Sequence, residues 1–223
     1  TINLAPVDPE ATIKIPTVQS EARAEKVSEE IGGQKTQKLP EMLSKKVNED
    51  KLVAAIQQAN KAILRYGEQK AAARGLGCTV TTALVQGDQA WIANIGDSRT
   101  YLLRDGKLRS ITKDHSLVAR LVEAKQIEPN EVYSHPQRNL IYRSLGAGHK
   151  TVEVDVFHET LRPDDVLLLC SDGLWEMVHY ENLVKQLSAK ASPQKICETL
   201  IDLANANGGE DNISAVVVHV SAH

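Results

Sequence analysis

The sequence is short of several features that would settle its class at once. None of its apolar runs approaches the roughly 18 residues that a membrane span requires. The N-terminus has no basic stretch followed by an apolar one, so no secretory leader is read. A basic excess is missing too: 26 Lys and Arg stand against 29 Asp and Glu, a formal net charge of -3. That removes the electrostatic footprint of a nucleic-acid binder. Cysteine is scarce, and Cys78, Cys170 and Cys197 are odd in number, far apart and without a CxxC spacing. They argue for reduced, buried thiols in a cytoplasmic protein rather than a disulfide framework, a metal site or a nucleophile. The seven histidines are scattered and form no HExxH motif, so a zinc hydrolase finds no support. The chain begins at Thr1 rather than Met, which leads us to expect a piece or a processed form of something longer.

What is present suits one sizeable domain over residues 1–223, with 42% hydrophobic and 25% charged residues. Residues 1–20, broken by Pro6, Pro9 and Pro16, read as an irregular arm. Residues 21–47 look helical in places, interrupted at Gly32-Gly33. From Asp50, Leu52, Ile56, Ala59 and Ile63 recur at helical spacing and predict an amphipathic helix ending near Gly67. The period then changes. Residues 78–86, 89–95, 99–104 and 107–111 are β-rich and separated by the turn dipeptides Gly87-Asp88, Gly96-Asp97 and Asp105-Gly106, which predicts an antiparallel meander. A helix is expected from about 115 to 125, then a polar loop, then strands at 152–157 and 165–170. Helices at 180–189 and 193–206 come next, the second with Ser192 as N-cap and Pro193 in its first turn. A buried strand over 213–220 closes the chain. These elements predict an α+β fold, an antiparallel β-sandwich flanked by helices on both sides in four layers, α-β-β-α.

Two carboxylates stand at strand ends. Asp172-Gly173 comes after the apolar run VLLLC, and Asp211-Asn212 precedes ISAVVVHV. A carboxylate held by a rigid element but facing solvent suits a hard cation such as Mg²⁺ or Mn²⁺. Taken singly, each is equally an ordinary turn aspartate.

Their setting carries more information. In order along the chain stand Gly77-Cys78-Thr79, Ile95-Gly96-Asp97-Ser98-Arg99, Thr112-Lys113-Asp114-His115-Ser116, His135-Pro136-Gln137-Arg138-Asn139 before Leu145-Gly146, Cys170-Ser171-Asp172-Gly173-Leu174-Trp175, and Gly208-Gly209-Glu210-Asp211-Asn212. This series, spread over about two-thirds of the chain, resembles bacterial members of the metal-dependent protein phosphatase family of type 2C. The resemblance implies a sandwich with a two-metal centre in a cleft at one end, where Mg²⁺ or Mn²⁺ activates a water to hydrolyse phosphoserine or phosphothreonine in a protein partner. It makes Asp172 and Asp211 metal ligands and Asp114 a holder of a third ion. Residues 115–137 become a flap beside the cleft, and Gly96, Asp97, Ser98 and Arg99 a structural turn. A monomer in the cytoplasm, with neither nucleic acid nor membrane as partner, is expected.

The pattern breaks upstream of the first helix. Where the family carries an aspartate-glycine pair and then Gly-Gly-His, this chain has Val27-Ser28-Glu29-Glu30-Ile31-Gly32-Gly33-Gln34. On that alignment Glu29 stands in for a metal-bridging aspartate with one methylene more, and Gln34 replaces the histidine that would protonate the leaving alcohol. Losing such a donor costs about 10²–10⁴-fold in rate. Arg23 and Asp8 are available for the family's early arginine and acidic residue but are left unassigned. The expectation is a weakened phosphatase. The alternative is an inactive module of the same fold that binds a phosphoprotein or regulatory partner.

Overall fold

Alternation with a period of two builds the sheets. The structure, a computed structural model, describes residues 38–221. The strands among the described residues all belong to the compact unit that begins at Ser44. Strands β1 (Gly77–Cys78), β2 (Val80–Gln86), β3 (Gln89–Ile95), β4 (Arg99–Arg104) and β5 (Lys107–Ser110) form the expected meander. After β6 (Leu145–Gly146) come β7 (Asp155–Thr160), β8 (Val166–Cys170) and β9 (Ala215–His219). They pair antiparallel into a three-stranded sheet, β2-β3-β7, a four-stranded sheet, β5-β4-β8-β9, and a short β1-β6 ladder.

Residues on the facing sides of the two larger sheets meet between them: Ala90 and Ile92 from one, Leu102 and Leu167 from the other. The alternate residues of β4 and β8 (Tyr101, Leu103, Val166, Leu168) point the other way. There they pack against α4 (Tyr180–Leu187) and α5 (Pro193–Ala206), whose Leu183, Leu187, Ile196 and Leu200 are buried. Ser192 caps α5 as expected, accepting from Lys195 N at 3.2 Å. On the other side, Ala93 and Ile95 of β3 pack against Leu52, Ile56 and Ile63 of α1 (Lys38–Gln69). Four layers result, as the sequence predicted.

Several expectations are corrected. Helix α1 begins at Lys38 and runs past Gly67 to Gln69. Ala59 is exposed, and its neighbour Asn60 is fully buried instead. Asn60 donates to His149 O at 2.9 Å and accepts from Gly146 N at 2.7 Å, which satisfies a polar side chain on an otherwise apolar face. The strand expected at 152–157 pairs only from Asp155, opposite Asn94, because β3 runs out at Ile95 and turns at Gly96. Val152 and Val154 still pack towards α1. The helix expected at 115–125 is shorter, α2 (Leu117–Glu123). The closing strand is not buried. Among the described residues β9 is the edge of its sheet, with Val217 inside and Val216 56% exposed. Of the cysteines only Cys170 is buried, Cys197 is half-buried and Cys78 is exposed.

The last residue of β4, Arg104, fastens one end of the sandwich. Its Nε donates to Asp165 Oδ1 at 2.9 Å and its Nη2 to Asp165 Oδ2 at 2.5 Å and to Thr160 O at 2.8 Å. Burial alone raises the pKa of Asp165, but hydrogen bonds from Arg104 and from Arg162 N–H outweigh it and hold the carboxyl below its ordinary value. Asp165→Ala strands the Arg104 guanidinium and the Arg162 N–H, so it should cost about 2–4 kcal/mol in urea denaturation. A lowered folded pKa means that this stability is complete above the ordinary aspartate value of 3.8 and drains as pH falls through the folded value. The stability gap between wild type and Asp165→Asn should therefore narrow below about pH 4 and stay flat above it.

Candidate metal centre

In an antiparallel pair the end of one strand lies beside the start of the next. Cys170, the last residue of β8, is opposite Ala215, the first of β9. Asp172 opens the one-turn helix α3 (Asp172–Trp175) just beyond β8, and Asp211 lies in the loop entering β9. Ser171 stitches the two together: its N donates to Ser214 O at 3.1 Å, its Oγ donates to Asn212 O at 3.1 Å, and Ser214 N donates to that Oγ at 3.0 Å. A Cβ on Gly173 would stand 2.6 Å from Asn212 O and 3.3 Å from Asp211 C. Only glycine allows this approach without moving one of the loops.

Each carboxylate uses one oxygen locally. Asp172 Oδ1 accepts from Gly173 N at 2.9 Å, and Asp211 Oδ1 accepts from Asn212 N at 2.7 Å. Burial raises the pKa of Asp172, and the charges of Asp211 and Asp114 push it further against the Gly173 hydrogen bond. Asp97 is pushed up to about 6 by burial, then by Asp172 and Asp114. Four carboxylates thus share one field with an excess of negative charge, which a hard cation relieves.

Arg99, at the start of β4, organises the surroundings. Its Nε donates to Asp114 Oδ1 at 3.0 Å and its Nη2 to Asp114 Oδ2 at 2.6 Å, a two-pronged pair with Asp114 only 7% exposed. Its Nη1 donates to Tyr101 OH at 3.0 Å, and its guanidinium lies 3.4 Å from the centre of the Trp175 ring. Trp175 Nε1 in turn donates to Asp97 O at 2.9 Å. Gly96 has φ +99°, and a Cβ there would fall 2.3 Å from Thr79 Cγ2. The Gly96-Asp97-Ser98-Arg99 turn is therefore structural in its backbone, while the Asp97 carboxyl joins the acidic field.

The sequence profile of protein phosphatase 2C matches residues 3–136 and 151–213. The chain belongs to that family. The serine/threonine phosphatase stp of Listeria welshimeri is 42% identical over 163 residues, 73% of this chain and 64% of the relative, so the chain spans less than two thirds of that relative's length. The serine/threonine protein phosphatase PstP of Mycobacterium tuberculosis is 42% identical over 170 residues, 76% of this chain and 32% of the relative. The crystal structure of the Mycobacterium tuberculosis phosphatase PstP/Ppp superposes with a TM-score of 0.73 at 40% identity, covering 78% of this chain and 72% of that one. A catalytic domain of PstP crystallised with two manganese ions gives 0.71 at 33% identity over 90% and 78%.

Within this 2C-family domain, Asp172 and Asp211 are brought together at the ends of β8 and β9, and Asp114 stands in the same field with both oxygens held by Arg99. Glu29 and Gln34, like Arg23 and Asp8, lie outside the described residues. Among the described residues no three carboxylate, imidazole or thiol groups form a ready metal cage.

Three contributors escape a reading of the sequence. Trp175 reads there only as part of a motif, yet it stacks on Arg99. His115, 3% exposed, accepts from Gly96 N on Nδ1 at 3.0 Å, and its Nε2 faces Asp155 Oδ2 at 3.2 Å and Arg143 Nη1 at 3.0 Å. Arg138 bridges Glu176 at 3.4 Å and Glu210 at 3.0 Å, tying the segment after the turn Pro129–Ser134 to the loop of Asp211. Each pairing joins residues far apart in sequence, so no local signal announces it.

Arg99→Ala leaves the Asp114 carboxylate buried without its partner, and urea denaturation should show a loss of about 3–5 kcal/mol. Removing the stranded charge as well, in Arg99→Ala/Asp114→Asn, should recover part of that loss. A double variant no more stable than Arg99→Ala would contradict the pairing as its source.

Proposed function

We propose that the chain is a metal-dependent phosphatase that hydrolyses phosphoserine and phosphothreonine in cytoplasmic phosphoproteins, acting as a monomer. The observation that carries the proposal is the close approach of the Asp172-Gly173 turn to the Asp211-Asn212 loop, set by the β8-β9 register and the Gly173 contact. Phosphatase relatives support the chemistry, and a manganese-bound relative supports the choice of Mn²⁺ or Mg²⁺. The three free cysteines fit a reducing compartment. Among the described residues no helix is long and apolar enough to cross a membrane.

On this reading Asp172 and Asp211 hold two divalent ions, with Glu29 as a further ligand and Asp114 available to a third. Such ions supply charge neutralisation for a phosphoryl group and a water of lowered pKa. The protein's own part is positional. The paired strand ends fix both loops, Arg99 holds the Asp114 side chain in place beside them, and the Trp175 stack holds the Asp172 turn against β4. Gln34 has no titratable proton, so protonation of the leaving alcohol falls to solvent. No observation favours the inactive alternative.

With millimolar Mn²⁺ the protein should hydrolyse p-nitrophenyl phosphate, and a chelator should abolish the activity. Asp172→Asn and Asp211→Asn should each weaken Mn²⁺ binding in calorimetry and lower kcat/KM by about 10²-fold or more. Gly173→Ala should do the same without removing any ligand. Gln34→His should raise kcat, within the roughly 10²–10⁴-fold that a general acid contributes. Absence of Mn²⁺ binding, or turnover indifferent to both aspartate variants, would sink the proposal.

A further inference from the structure

A cavity of about 320 Å³ opens between the end of β5 and helix α2. One wall is apolar, made by Ala119 and Val122 of α2 with Val132 and Tyr133 of the turn after it. The other is polar and includes Lys113 and Asp114. The volume is at the lower end of the roughly 300–1,000 Å³ typical of ligand sites. It suits one large side chain with its flanking backbone better than a whole cofactor.

The cavity and the candidate metal centre share a partition. Arg99 lines the cavity, and its guanidinium stacks on Trp175, the last residue of the turn that Asp172 opens. Asp114 lines the cavity as well, and its charge acts on Asp172, so the cavity adjoins the candidate centre. The entrance yields readily: Lys113 and Glu123 approach to 3.6 Å with side chains 71% and 63% exposed, and such a surface pair costs little to part.

We propose that this cavity is a substrate subsite that receives an aliphatic or aromatic side chain of the phosphopeptide, near in sequence to the phosphorylated residue. The proposal rests on the phosphatase reading above. Burial of the apolar side chain against Ala119, Val122 and Val132 supplies binding, and the amphipathic wall lets the peptide backbone stay hydrated on the Lys113 side. Because the contact is made equally in the ground and transition states, it lowers KM more than it raises kcat.

The test uses the full chain with Mn²⁺ and a series of phosphoserine peptides in which a single leucine is walked across the flanking positions of a glycine-rich background. Leucine at one or two adjacent positions should raise kcat/KM about tenfold over glycine, through KM. Ala119→Leu, which fills the cavity, should erase that preference and leave p-nitrophenyl phosphate turnover unchanged. Where Ala119→Leu lowers the melting temperature, Val122→Ala serves instead; it enlarges the cavity and should shift the preference from leucine towards phenylalanine. If the small ester is cleaved but the peptides are not distinguished, or Ala119→Leu depresses ester and peptide alike, the subsite is overturned and the phosphatase reading stands. If neither ester nor peptide is cleaved, both fall.

Discussion

Strand β4 carries an arginine at each end, and the arrangement of the two sheets depends on what those arginines hold. Arg104 grips Asp165 just before β8 and the last carbonyl of β7, so it joins the three-stranded sheet to the four-stranded one. Arg99 grips Asp114 beyond β5 and covers Trp175 beyond β8. Both contacts are forked, and neither would survive replacement by the point charge of a lysine. Since buried ion pairs gain little net stability over apolar packing, their use here is better understood as placement. They fix which loop lies against which at the two ends of the sandwich, and the Arg99 end is where the acidic residues gather.

The interior of the sandwich changes character along its length. At the centre Ile92, Leu102 and Leu167 are fully buried. Towards the Arg99 end the same facing positions hold hydroxyls and an amide. Thr81 pairs with Thr100 at 2.7 Å across the two sheets, Thr79 with Ser98 at 2.8 Å just beyond the strand ends, and Asn94 donates to Gly96 O and Lys113 O. Polar groups in a core are tolerated only when hydrogen-bonded, so this end is costlier to assemble than a run of leucines. What it gains is directional: each bond sets the position of the turn that carries Asp97 and Arg99. The Asn94 Oδ1 atom is the one buried side-chain polar atom among the described residues without a hydrogen-bond partner.

Much of this is legible in the sequence because it depends on local periodicity. The meander, the alternation of facing residues in β3 and β4, the Ser192 cap and the four-layer arrangement all come from period, turn dipeptides and capping chemistry. The features that cannot be read depend on partners. The strand near Val152 is expected too early because its own alternation does not reveal where β3 ends. The run ISAVVVHV reads as buried because it is apolar on both faces, yet its position at a sheet edge leaves Val216 largely uncovered. Asn60 escapes because a helical-spacing search counts apolar residues, whereas the neighbouring chain around Gly146 and His149 needs a donor and an acceptor at that place.

The meeting of Asp172 and Asp211 lies between these cases. Neither residue alone is distinguishable from a turn aspartate, and 38 intervening positions hide their relation. Antiparallel pairing of β8 with β9 is nevertheless enough to derive it, since a residue leaving one strand and a residue entering its partner must share one end of the ladder. The missing information is the pairing, not the chemistry. Gly173 supplies the physical trace of it: a glycine after an aspartate reads as turn punctuation, but its absent Cβ is what lets the Asn212 carbonyl approach. The same contact ties the two acidic turns to each other, because a methyl group at position 173 would have to displace one of the two loops.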